Sequence, residues 1–221
     1  MLTRVAGWLL PGDTNKHRHL PALLIPLTLV TGLVDAVSFL GLNRVFVANM
    51  TGNVVFVGFA LAGDRELSLW SSLLAITTFM VGAWTAARLI ARSDVERAFT
   101  PVTAVHATLV ATALVVASIF GHRNIGAQIA LISLLACGMG MQNAVVRKLA
   151  VPDMTTTVLT IAITGLAGDP PGAAGRRRLV SVFGMCAGAL CGGLLHFHLG
   201  PPAALALALV LLLAVVVFAR G

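Results

Sequence analysis

Six long runs of apolar residues divide the chain, and polar positions gather between them. The runs cover residues 20 to 41, 69 to 90, 102 to 120, 126 to 146, 179 to 195 and 201 to 219. Each is close to or longer than the ~18 to 20 residues that a helix needs to cross a hydrocarbon core about 30 Å thick. The pattern therefore predicts six membrane-spanning helices.

The composition places the chain in the same class. Of its 221 residues, 58% are hydrophobic and 10% are charged, whereas soluble domains carry about 25% charged residues. We therefore predict an all-α polytopic membrane protein. The first 19 residues are more polar and are followed by no signal-peptidase pattern. They are interpreted as a cytoplasmic N-terminal segment, and residues 20 to 221 as a single transmembrane domain.

Two shorter stretches combine polar and apolar residues in the same order. "VANMTGNVVF" occupies residues 47 to 56, and "VPDMTTTVLT" occupies residues 151 to 160. Asn49 and Asp153 are good helix N-caps, so a helix is expected to begin at each. A helix of about twelve residues is about 18 Å long, roughly half of the membrane. Both stretches are predicted to be short re-entrant or broken helical segments.

The two stretches belong to a longer internal repeat. "GLVDAV" matches "GMQNAV", "LAGD" occurs twice, and "VGAW" lies opposite "AGAL", all in the same order. These blocks cover residues 32 to 37 and 140 to 145, 61 to 64 and 166 to 169, and 81 to 84 and 187 to 190. Several ordered matches indicate a duplication. Repeat one covers about 20 to 120, and repeat two about 126 to 219.

The basic residues distinguish two topologies. If only the six long runs cross, twelve of the 15 Lys and Arg residues lie on the cytoplasmic side. If both short stretches also cross, the cytoplasmic side holds nine of them. The positive-inside rule favours six crossings, and three spans per repeat make the two halves inverted. Eight crossings stay an open alternative, because an 18-residue apolar stretch is long enough to span.

Asp35 is the most distinctive polar residue, because it lies deep in the first span with no charged neighbour before Arg44. An isolated carboxylate there costs at least about 3 kcal/mol, so it must be paired, hydrated or protonated. We expect one polar cluster around it that forms a substrate or ion site. The predicted cluster comprises Asp35, Asn49, Thr51, Asn53, Gln142, Asn143, Asp153 and Thr155. The alternative is structural: these residues cap helices, and Asp35 bonds a backbone group or Thr31.

The paired motifs resemble those of a known family. "GLVDAVSFL" with "VFVANMTGNVVFVG", and "GMGMQNAVVRKL" with "DMTTTVLT", are similar to the YoaK-like family of bacterial integral membrane proteins, classed as a domain of unknown function. The similarity extends from about residue 25 to 195. It implies a multi-pass protein of the bacterial inner (plasma) membrane with about six spans, and it implies no substrate.

The sequence favours a small-solute or ion transporter or channel, proton-coupled through Asp35. A cation or neutral solute is expected rather than an anion, because Asp35 and Asp153 would repel an anion. The alternative is a non-transporting scaffold or accessory subunit. An intramembrane enzyme is less favoured, since no catalytic or metal-binding motif occurs. The expected partners are the lipid bilayer and one small solute or ion, with a homo-oligomer left open. No cofactor, metal or nucleic acid is predicted.

Overall fold

The computed structural model describes residues 2 to 9, 19 to 157, 159 to 170 and 172 to 220. Within these ranges the secondary structure is entirely helical. The helices are α1 Leu2–Leu9, α2 Leu20–Gly41, α3 Met50–Leu61, α4 Leu69–Ile90, α5 Val95–Phe120, α6 Ile125–Leu149, α7 Thr160–Gly168, α8 Ala173–Leu199 and α9 Pro201–Ala219. Most of the expected N-terminal segment, including Lys16 and Arg18, lies outside the described residues.

Six of these helices correspond to the six apolar runs. α2, α4, α5, α6, α8 and α9 are long and apolar enough to cross a membrane. α5 and α8 begin several residues before the predicted runs and include charged residues in their first turns. A helix continues beyond the hydrocarbon core because water and headgroups still accommodate charged side chains there. The prediction of a multi-span helical protein is therefore confirmed.

The helix ends meet at two opposite ends of the bundle. At one end Arg177, near the start of α8, donates hydrogen bonds to the carbonyls of Leu9 in α1 and Pro152 after α6. At the other end Gly41, the last residue of α2, lies against His196 near the end of α8. We call the end at which α2 and α8 begin the basic end, and the other the opposite end. α2 and α6 therefore run in opposite directions.

The centre of the bundle is built from α2 and α6, the two spans with the most buried surface. α2 packs against α8 and α9, and α6 packs against α4 and α5. α5 and α9 also contact each other. The short helices lie at the periphery, with α3 against α4 and α7 against α8. α3 buries only Asn53, and α7 buries only Ala162.

Glycines allow α2 and α8 to cross in backbone contact. A Cβ atom on Gly32 would collide with the backbone of Met185 and Ala189. A Cβ atom on Gly188 would collide with the backbone of Leu29. Small residues at such a crossing let two helices approach closely and gain dispersion energy. Gly188 therefore serves the close packing of α8 on α2.

The same contact recurs between α4 and α6. A Cβ atom on Gly140 would meet the backbone of Phe79 and Ala83, and one on Gly82 would meet the backbone of Cys137. Gly140 aligns with Gly32 in the two repeats, and the two contacts have the same form. Each central helix is thus held by a flanking helix of the other half.

Substituting Gly188 with leucine should destabilise the bundle, because the added side chain would collide with the Leu29 backbone, which cannot move without displacing α2. Overpacking of this kind costs about 1 to 3 kcal/mol or more. We expect Gly188→Leu to lower the thermal unfolding temperature in detergent by several degrees. Gly193→Leu is the control, because a Cβ there meets only Leu40 at an ordinary 3.9 Å. Equal melting temperatures for the two variants would contradict the packing role.

Candidate functional site

Asp35 holds a segment of non-helical chain inside the bundle. Its Oδ1 atom accepts hydrogen bonds from the backbone amides of Val47 at 3.0 Å and Ala48 at 2.8 Å. Asp35 lies six residues before the end of α2, about 9 Å along the helix axis. Residues 42 to 48 therefore turn back into the bundle after α2 ends. No described residue donates a hydrogen bond to the second oxygen, Oδ2.

The flanks of this segment stay at the opposite end. Asn43 donates a hydrogen bond of 2.9 Å to Gln128 near the start of α6. Arg44 pairs with Glu66 at 2.6 Å, just before α4 begins. Residues 42 to 66 thus enter and leave the bundle at one end, and α3 forms the returning arm.

α3 begins where the sequence predicts. Asn49 is its N-cap, and the Asn49 side chain accepts a 3.4 Å hydrogen bond from the amide of Gly52. Asn53 is fully buried and faces the preceding loop: its Oδ1 accepts from the amide of Phe46, and its Nδ2 donates to the carbonyl of the same residue. Both polar groups of Asn53 therefore hold the loop in place.

The second segment differs from the prediction at Asp153. α7 begins only at Thr160, after Leu159, so the expectation of a helix starting at Asp153 is wrong. Asp153 has a φ of 57° and is not a cap. Its carboxylate instead binds Arg177 at 2.9 Å and Arg178 at 2.6 Å, in the first turns of α8. This double ion pair draws Asp153 to the basic end and delays the helix.

Arg177 and Arg178 determine the ionisation of Asp153. Partial burial raises the pKa of Asp153, but hydrogen bonds from Arg177 and Arg178 outweigh it and hold this pKa below the ordinary value. Arg177 is only 8% exposed. Sequence reasoning missed this arrangement, although three successive arginines at 176 to 178 were a signal that an acidic partner lay nearby.

Asn143 occupies the position in α6 that Asp35 has in α2. It lies six residues before the end of α6, and its Oδ1 accepts a 3.3 Å hydrogen bond from the hydroxyl of Thr157. Asp169, just after α7, pairs with Arg178 at the basic end. Residues 150 to 172 therefore leave and return at the basic end, as residues 42 to 66 do at the opposite end.

Two further predicted residues serve the packing of helices. Gln142 is buried and donates hydrogen bonds to the carbonyl of Leu27 and the hydroxyl of Thr31, which join α6 to α2. The amide of Thr155 donates to the hydroxyl of Ser181 in α8. Gln142 therefore joins the two halves, whereas Thr155 joins two segments of the second half.

One cavity lies where the two short helices begin. It has a volume of about 430 Å³ and is lined by Asn49 and Thr51 at the start of α3, and by Thr160 at the start of α7. Asn143 and Thr157 form another part of the wall. Asp35 adjoins this cavity through its bond to Ala48, which also lines it. We call this space the half-helix cavity.

The eight predicted site residues fall into separate groups. Asn49, Thr51 and Asn143 line the half-helix cavity. Thr155 lines a neighbouring cavity of about 340 Å³ that Asn143 also reaches. Asn53, Gln142 and Asp153 make the contacts described above, away from the half-helix cavity. Within the described ranges, no three His, Cys, Asp or Glu side chains are placed to hold a metal ion.

Comparisons with known proteins give a family but no activity. Residues 23 to 218 match the family described as "Protein of unknown function (DUF1275)". The UPF0700 transmembrane protein YoaK of Bacillus subtilis (strain 168) is 31% identical over 150 residues, which are 68% of this chain and 67% of that protein. No solved structure matches. The chain therefore belongs to the DUF1275 family, the YoaK-like membrane proteins that its repeated motifs resemble.

Proposed function

We propose that the protein is a transporter or channel for a small solute or ion, with the half-helix cavity as its site. The observation that carries this proposal is that α3 and α7 both begin at one cavity, whose lining includes amide and hydroxyl side chains. Broken helices that begin at the midplane are typical of substrate sites in transporters with inverted repeats. Non-helical backbone at membrane depth is tolerated where it lines such a cavity.

An inverted duplication supports the proposal. The glycine crossings pair repeat one with repeat two reciprocally: Gly188 lies on Leu29, and the aligned Gly82 lies on Cys137. The equivalent helices α2 and α6 run in opposite directions, and the two short segments enter from opposite ends. Inverted repeats with a short broken segment in each half are common in transporters.

The distribution of basic residues supports a membrane orientation. We infer six crossings, with the basic end in the cytoplasm and the opposite end facing outward from the bacterial inner membrane. Arg44, Arg65 and Arg123 are the basic residues on the outward side. This is the distribution that the positive-inside rule requires.

The positions of the two acids narrow the substrate class that we propose. Asp153 is neutralised by two arginines at the basic end and does not oppose an anion at the cavity. Asp35 adjoins the cavity with one oxygen unpaired among the described residues, so it still disfavours an anion there. The amide and hydroxyl side chains in the lining suit a small neutral solute.

Asp35 is proposed to carry the coupling proton. Its Oδ1 atom holds the Val47 and Ala48 amides, while Oδ2 has no donor among the described residues. Asp35 is half-buried and adjoins the cavity wall. Oδ2 would take up a proton from one side of the membrane when solute binds and release it to the other side when solute leaves, while Oδ1 keeps both amide hydrogen bonds. We propose no catalytic role and no cofactor.

Asp35→Asn tests the coupling. The asparagine carbonyl can accept both amide hydrogen bonds, so expression and thermal stability should be nearly unchanged. Proton-driven uptake in proteoliposomes should be abolished, because the side chain no longer titrates. Asp35→Leu is the comparison variant, and it should lose stability as well, since buried amides without acceptors cost about 1 to 3 kcal/mol each. Proton-driven uptake that survives in Asp35→Asn would end the coupling proposal.

Filling the half-helix cavity tests the site itself. Thr51→Trp places an indole in the lining, and it should reduce permeability to small solutes at least tenfold in stopped-flow swelling of proteoliposomes. Thr77→Trp is the control, because Thr77 is exposed on α4 and bonds only the carbonyls of its own helix. A protein that conducts no solute at all, with or without Thr51→Trp, would favour the scaffold function.

Single cysteines test the topology in a variant without Cys137, Cys186 and Cys191. Arg97→Cys, in the first turn of α5, should react with an impermeant maleimide only after the cells are opened. Arg123→Cys, between α5 and α6, should react in intact cells. The reverse pattern is what eight crossings would produce.

A further inference from the structure

A second cavity opens at the basic end between α4 and α6. Its volume is about 460 Å³, and it extends from Phe79 and Asn143 inside the bundle to Arg147 and Lys148 near the end of α6. Asn143 lines both this cavity and the half-helix cavity. The second cavity has no part in the function proposed above, and we call it the basic groove.

The two cations of the basic groove have no anionic partner among the described residues. Arg147 and Lys148 are both exposed on the last turn of α6. Arg177 and Arg178, at the same end, instead share the carboxylate of Asp153. The groove therefore presents two positive charges that form no ion pair with a described residue, unlike Arg177 and Arg178.

Beyond Arg147 and Lys148, toward the interior of the bundle, the groove is lined mostly by apolar side chains. Ala83, Ala87 and Ala91 follow one another at intervals of four residues on α4, so they line one face of that helix. Ala144 of α6 forms the facing wall. Because none of these side chains extends beyond Cβ, the trough has room for a methylene chain about 10 Å long.

This combination of chemistry selects one class of ligand. A free anion needs the cations but gains nothing from the apolar trough, and a neutral lipid fills the trough but leaves the cations unpaired. An anionic phospholipid uses both, because its phosphate lies at the end of its acyl chains. Basic pockets between helices on the cytoplasmic side bind such headgroups in membrane proteins.

We propose that the basic groove is a binding site for an anionic phospholipid. The headgroup phosphate contacts Arg147 and Lys148, and one acyl chain lies along the alanines of α4. The bound lipid would come from the leaflet at the basic end, and its chain would end beside Asn143. The bound lipid would thereby cover the side of α6 that lies next to the half-helix cavity.

Native mass spectrometry of the full-length protein tests the site, with phosphatidylglycerol and phosphatidylcholine of matched chains as probes. The wild type should retain phosphatidylglycerol preferentially. Arg147→Gln with Lys148→Gln should weaken phosphatidylglycerol binding about fivefold for each charge removed. Ala87→Phe should weaken it by blocking the trough while leaving both cations in place.

Arg92→Gln with Arg97→Gln is the matched control, because it removes two charges at the same end outside the groove. This control should retain phosphatidylglycerol as the wild type does. Equal loss in the control would reduce the effect to general surface charge and overturn the site. Equal binding of phosphatidylcholine, or full displacement by inorganic phosphate, would also overturn it. If Ala87→Phe fails to fold, the exposed Arg147 and Lys148 variant decides the outcome alone.

Discussion

The fold depends on one constraint, that backbone groups inside a membrane must find hydrogen-bond partners within the protein. Residues 42 to 48 leave α2 and turn back without forming a helix, so the amides of Phe46, Val47 and Ala48 have no helical partner. Asp35 accepts hydrogen bonds from two of these amides, and Asn53 forms hydrogen bonds with the amide and the carbonyl of Phe46. These two side chains replace the hydrogen bonds that a continuous helix would have supplied, and they allow α3 to begin inside the bundle.

The second half meets the same constraint with different residues. Asn143 lies in α6 at the position equivalent to Asp35 in α2, but it accepts a hydrogen bond from a threonine hydroxyl instead of from backbone amides. Arg177 supplies further hydrogen bonds to this segment, because it donates to the carbonyl of Pro152 and to the carboxylate of Asp153. The architecture is therefore shared between the halves while the charge is not. An acid lies near the cavity in the first half, and an arginine-bound acid lies at the basic end in the second.

The sequence is sufficient to predict features that depend on local chemistry. Apolar length predicts the six long helices, and the N-cap preference of asparagine predicts the start of α3. The start of α7 could not be predicted this way. Asp153 is as good a cap as Asn49, and only its contact with Arg177 and Arg178, more than twenty residues later, decides against that role. Long-range ion pairs of this kind have no local pattern.

The distribution of burial separates a rigid frame from parts that can move. Backbone contacts at Gly32, Gly82, Gly140 and Gly188 join each half to the other and leave no room for sliding. α3 and α7 each bury a single residue and pack on one helix apiece. Elements with few buried contacts open at the lowest free energy. In the transport function that we propose, gating of the half-helix cavity would involve movement of α3 or α7 against α4 or α8, while α2 and α6 stay fixed.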